Sequence, residues 1–105
     1  MNAIRERYKI QQLIDITCDE CNISKVALFS RRRVQDIVDA RMIINHVLVK
    51  YSNKTFLESG KVLHRTKSNM AWLESKFMDI YTHNKVFQNK YKRVVTRLYN
   101  NNKTK

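Results

Sequence analysis

Proline is missing from this 105-residue chain, and its one glycine is Gly60. These two residues supply most of the punctuation of turn-rich β structure. A sequence so poor in both is constrained to helices joined by short polar links, so the expected fold class is all-α. The length fits one domain. Hydrophobic residues make up 43% of the chain, which excludes a disordered composition and allows a real core.

Apolar residues recur at helical spacing along most of the sequence. Ile10, Leu13, Ile14, Thr17, Cys18 and Cys21 predict an amphipathic helix over residues 6–20, with Asn22 as its stop. Ser24 is placed to cap a short turn through Val26, Ala27, Leu28 and Phe29. A basic connection, SRRRVQ, leads into a long helix over 34–50 with Ile37, Ala40, Ile44, Val47 and Leu48 on one side. Thr55 and Glu58 form a capping box for the short helix FLESGKV. After a turn at Leu63-His64-Arg65, Thr66 caps a helix carrying Met70, Leu73, Phe77 and Tyr81. A break at Thr82-His83-Asn84 precedes a last helix over 85–99, striped by Phe87, Tyr91, Val94, Val95 and Leu98. The expected organisation is therefore one domain, 1–99, and a frayed polar tail, 100–105.

Net charge is +12, unevenly spread. Residues 1–60 contribute +3 and residues 61–105 contribute +9, and a dense basic run stands at Arg31, Arg32 and Arg33. Such a chain attracts polyanions: nucleic acid, an anionic membrane surface or an acidic protein. No stretch approaches the roughly 20 apolar residues of a membrane span, and MNAIRERYKI holds no apolar run of signal-peptide type. The location expected is the cytoplasm, at the nucleoid or in a phage-infected cell. In the last helix, Lys85, Lys90, Lys92, Arg93 and Arg97 read as a solvated face opposite the apolar stripe, with one or two within reach of phosphate.

Residues 55–80 hold a short capped helix, a turn of about four residues and a longer helix. That is the pattern of a helix-turn-helix, and equally of a plain αα-hairpin. Gly60 inside the first helix costs stability against alanine, which close packing against the second helix would explain. The charge favours the DNA-binding version.

The residues also resemble a known family. LFSRRRVQDIVDARMII, residues 28–44, is similar to the basic loop and following helix of the C-terminal DNA-binding domain of the bacterial replication initiator DnaA. The matches are the apolar pair Leu28-Phe29, Ser30, the cluster Arg31-Arg32-Arg33 and the step Ala40-Arg41. SGKVLHRTKSNMAWL resembles that family's helix-turn-helix signature, with Gly60 and Arg65 matching and Thr66, Lys67, Ser68, Asn69 and Met70 standing for its Asp, His, Thr, Thr and Val. CNISKVALFS fits the family's opening helix and short second turn, so the resemblance spans about residues 8–99. It implies a helix in the major groove and a loop arginine, Arg33 or else Arg32, in the adjacent minor groove. It further implies base contacts from Thr66, Lys67 and Ser68, and phosphate contacts from Arg65, Asn69 and Arg41. Arg31 belongs to the same basic loop. The sequence departs from the family where Thr66-Lys67 replaces Asp-His, and where Ala40, Gln35 and Asp39 replace a proline and further basic residues. A chain with one glycine holds no Gly-x-x-x-x-Gly-Lys-Ser/Thr phosphate loop.

No catalytic set stands out, so a non-enzyme without cofactor is expected. Cys18 and Cys21 form a Cys-x-x-Cys within a helix, with no second pair, and read as core rather than metal ligands. His46 and His83 read as structural, His64 as a turn residue within reach of phosphate, and Trp72 as a packing residue. The function expected is binding of double-stranded DNA by a monomer. Its role would be that of an accessory factor in replication or transcription, of the kind a phage or mobile element encodes, with a replication or transcription protein as a further partner. The alternative is a basic interaction module that binds and modulates an acidic protein. No membrane partner is expected.

Overall fold

Helices fill almost all of the computed structural model, which describes residues 2–103, with side chains described for 10–101. In chain order they are α1 (Asn2–Cys21), α2 (Lys25–Leu28), α3 (Gln35–Tyr51), α4 (Phe56–Leu63), α5 (Lys67–His83) and α6 (Lys85–Lys103). No strand occurs among the described residues, and no helix there is long and apolar enough to cross a membrane. The expected all-α class is what is found. α6 runs on through residues 100–103, into the segment set apart from the sequence as a polar tail, and residues 104–105 lie outside the described part.

With glycine nearly absent, other residues must end the helices. Asn22, Asn53 and His64 take left-handed backbone, with φ of 57°, 55° and 58°. Asparagine tolerates this region best after glycine, and histidine is also enriched there. Each bend closes a backbone hydrogen bond across the helix end: Ile23 to Cys18, Lys54 to Leu48 and Arg65 to Gly60. Starts are equally local. The Ser24 hydroxyl accepts from Ala27 N–H, Thr55 and Glu58 complete the capping box, and the Thr66 hydroxyl accepts from Asn69 N–H. Asn84 alone separates α5 from α6, since its N–H donates to Ile80 and its side-chain oxygen accepts from Phe87 N–H.

α3 is the inner helix. Every residue from Ile37 to Leu48 except Val38 is buried, because α1, α2, α4 and α5 pack around it. An all-round buried helix must satisfy its polar side chains internally. Asn45 does so by donating to the Met70 carbonyl at 2.9 Å and accepting from the Ser59 hydroxyl at 2.7 Å, which pins α4 and α5 to α3. His46 stacks on Phe77 with ring centroids 3.7 Å apart and meets the Glu74 carboxylate at 3.0 Å. Its structural role is thus plain, as is that of Cys18 and Cys21, both buried in the core. Burial pushes the Cys21 thiol up to about 12.

The basic face of α6 corrects the sequence reading in part. Lys90 is buried and bridges Asp36 and Asp39 of α3, at 2.9 and 3.1 Å. Arg93 pairs with Glu20, and Arg97 with Asp19 and Glu20 of α1. Lys90, Arg93 and Arg97 thus help to dock α6, while Lys85, Lys92 and Arg93 remain exposed as the sequence reading expects. Arg93 and Arg97 sit opposite their acids because α6 lies along α1, a long-range packing that spacing within α6 does not reveal.

Gly60 is the tight point between α4 and the turn that follows. A Cβ there would lie 2.5 Å from the Arg65 carbonyl oxygen and 3.4 Å from the Met70 side chain. Gly60→Ala therefore lowers stability by about 1–2 kcal/mol in urea denaturation, despite alanine's better helix propensity. A second expectation concerns pH. Hydrogen bonding by Arg93, ahead of the other influences, holds the Glu20 carboxyl below its ordinary value of 4.5. Its contribution is complete above the unfolded value and fades as the pH falls through the lower folded one. Thermal melts across this acid range should show a shallower loss for Glu20→Gln than for the wild type.

Candidate nucleic-acid interface

The connection between α2 and α3 is a folded loop, not a slack one. The Ser30 hydroxyl donates to the Ala27 carbonyl at 2.7 Å and accepts from Arg32 N–H at 3.2 Å. Arg41, one turn into the buried part of α3, reaches back into it. Its Nε donates to the Leu28 carbonyl at 3.0 Å, one Nη to the Arg32 carbonyl at 2.9 Å and the other to the Ser30 carbonyl. Arg65, in the turn between α4 and α5, also donates to the Ser30 carbonyl, and to its neighbour His64 at 3.2 Å. The Phe29 and His64 rings meet at 4.8 Å. Loop and turn are thereby fastened to each other.

Between them and α5 lies an open cleft of about 730 Å³. Arg31 and Arg33 line it from the loop, Val38 and Arg41 from α3, His64, Arg65 and Thr66 from the turn, and Asn69, Trp72 and Leu73 from α5. Four guanidiniums share this space, and none of the side chains lining it is acidic. Among the described residues Arg31, Arg32 and Arg33 pair with no carboxylate, and all three are exposed. Burial, followed by the charges of Arg65 and Arg33, pulls Arg41 down to about 10. Burial is the larger of these causes, and the neighbouring guanidiniums add to it.

Of the nine residues singled out from the sequence, six line the cleft: Arg31, Arg33, Arg41, Arg65, Thr66 and Asn69. Lys67 and Ser68 lie exposed on the first turn of α5, and Arg32 is exposed on the loop. Two roles change. Arg41 is 5% exposed with its donors committed to three loop carbonyls, so it shapes the loop and is not free to hold a phosphate. Thr66 spends its hydroxyl oxygen on the cap of α5.

Trp72 is the residue sequence reasoning misplaced. Its indole is 54% exposed in the cleft, with Lys76 Nζ 5.9 Å from the ring centroid, and it is not a core packing residue. A signal was available. Trp72 follows Ser68 by four residues and Asn69 by three, so it shares their helix face rather than that of Met70 and Leu73.

No protein-family model matches the sequence, and a search of curated proteins finds no match.

Arg41→Met keeps the apolar stem but strands the carbonyls of Leu28, Ser30 and Arg32. Loss of about 2–3 kcal/mol is expected from chemical denaturation. Amide exchange should quicken across residues 29–34 ahead of the helices.

Proposed function

We propose that this chain is a double-stranded DNA-binding protein that uses α4, the turn and α5 as a helix-turn-helix, with the loop before α3 as a second, minor-groove arm. The observation that carries the reading is the cleft. Exposed arginines that pair with no carboxylate among the described residues and the exposed first turn of α5 are held side by side, by partly buried hydrogen bonds, at a cleft lined by no acidic side chain. Arginines supply phosphate contacts and enter narrow minor grooves, where negative potential is concentrated. A recognition helix reads base edges with residues near its N-terminus, where Lys67 and Ser68 stand. The resemblance to the DNA-binding domain of DnaA implies the same division of labour. In this reading the protein is a monomeric accessory factor of replication or transcription and no enzyme.

The pairing of α6 with α1 and α3 sharpens the electrostatics. Lys90, Arg93 and Arg97 are matched to four acids of the N-terminal half, which leaves the arginine loop as the concentrated source of unbalanced charge.

Selection from a random duplex library at about 150 mM salt should enrich a motif of roughly one helical turn. Replacing Arg32 and Arg33 together by alanine should weaken binding at least about tenfold. It should also reduce the slope of log affinity against log salt by about 2, as two phosphate or groove contacts are lost. Full affinity in that double variant contradicts the reading. Failure to retain any duplex, combined with a stoichiometric acidic protein in pull-down, would favour the interaction module instead.

A further inference from the structure

Trp72 is the one tryptophan of the chain, and a tryptophan left 54% exposed on a well-packed helix calls for an explanation. Its surroundings are specific. The indole lines the cleft opposite no hydrophobic partner of its own size. Val38 and Leu73 are the other apolar groups there, and the remaining side chains carry positive charge or hydrogen-bonding groups. The indole N–H donates to no described residue. Lys76 Nζ stands over one face of the ring, 5.9 Å from its centroid, and the indole still presents exposed apolar surface and an N–H with no described partner to whatever enters between the arginine loop and α5.

The nature of that occupant follows from where the cleft lies, on the DNA-binding reading given above. If α5 occupies one groove and the loop the next, what runs between them is a single sugar-phosphate strand. Such a strand alternates an anionic phosphate with an apolar deoxyribose. The cleft alternates in the same way, with guanidiniums from the loop and turn beside an indole on α5. We infer that Trp72 is a DNA-contact residue that seats the sugar-phosphate strand crossing this cleft, packing its ring on a deoxyribose and turning its N–H to a neighbouring phosphate. This goes beyond the assignment of bases to α5 and of the minor groove to the loop, because it identifies a neutral contact between the two.

A neutral contact has a signature that charged ones lack. Releasing counterions from DNA needs a protein cation, so each lost arginine contact flattens the salt dependence of binding by about 0.9 in slope. Removal of an indole does not. Trp72 thus contributes affinity at every salt concentration without altering the slope. Its exposure also means that truncation leaves the core intact, so the variant remains folded.

The experiment is a duplex titration of the full chain, with the enriched duplex or a mixed-sequence one, followed by tryptophan emission and repeated from about 50 to 200 mM salt. Emission reports this position alone. On binding, the wild-type emission should move to shorter wavelength as water leaves the ring. Trp72→Ala, with unchanged helical circular dichroism and melting midpoint, should bind about tenfold more weakly at each salt concentration. Its slope should equal that of the wild type, whereas Arg33→Ala should lower the slope by about 1. Trp72→Phe, keeping a ring but losing the N–H, should recover part of the affinity. A wild type that binds duplex with unaltered emission, together with full affinity in Trp72→Ala, overturns the seat for the strand and leaves the DNA reading standing. A wild type that binds no duplex overturns both.

Discussion

A guanidinium buried beneath a loop organises this molecule. Arg41 leaves the inner helix and gives its donors to the carbonyls of Leu28, Ser30 and Arg32. A charge in that position is tolerated only because the loop folds around it, since an unpaired buried charge costs several kcal/mol. The loop in turn has one shape, and its exposed arginines have defined places. Arg65 joins on the same Ser30 carbonyl, so the turn before α5 is fixed by the arrangement that fixes the loop. One helical turn further along α3, Asn45 ties down α4 and α5 through Ser59 and Met70. Two buried polar side chains on one helix thus set the geometry of both halves of the cleft.

The same division between committed and free charge runs through the whole chain. Lys90, Arg93 and Arg97 are bound to acids of α1 and α3. For Lys90, burial alone would favour the neutral amine, but Asp36 and Asp39 outweigh it and hold the group above its ordinary value. Among the described residues Arg31, Arg32 and Arg33 pair with no acid. Three of the eleven basic side chains in residues 61–105 thus serve packing. On the proposed reading, the charge offered to a ligand comes largely from a three-residue run in the N-terminal half, fastened to the turn before α5 by Arg65.

What the sequence makes legible is what short spacings decide. The caps at Ser24, Thr55 and Thr66 and the stop at Asn22 involve partners within five residues, and each stands where spacing predicts. Gly60 marks a close approach, though its tightest neighbour is the Arg65 carbonyl of the turn as much as the second helix. The features that escape it depend on distant partners. Arg41 meets a carbonyl 13 residues away, Lys90 an acid 54 away and Arg97 an acid 78 away. No periodicity within one helix carries that information, so an arginine that shapes a loop and one that faces a ligand look alike in sequence. Trp72 is the intermediate case, with its face readable from Ser68 and Asn69 but its exposure decided by what packs against α5.

The central claim is that the loop and α5 form one surface for a DNA duplex. Backbone amide chemical shifts of isotope-labelled protein, followed as duplex is added at moderate salt, test it most directly. The account predicts perturbations confined to residues 30–34 and 64–76, with α1 and α6 silent. Perturbations centred on α1 and α6, or none at any duplex concentration, would contradict it.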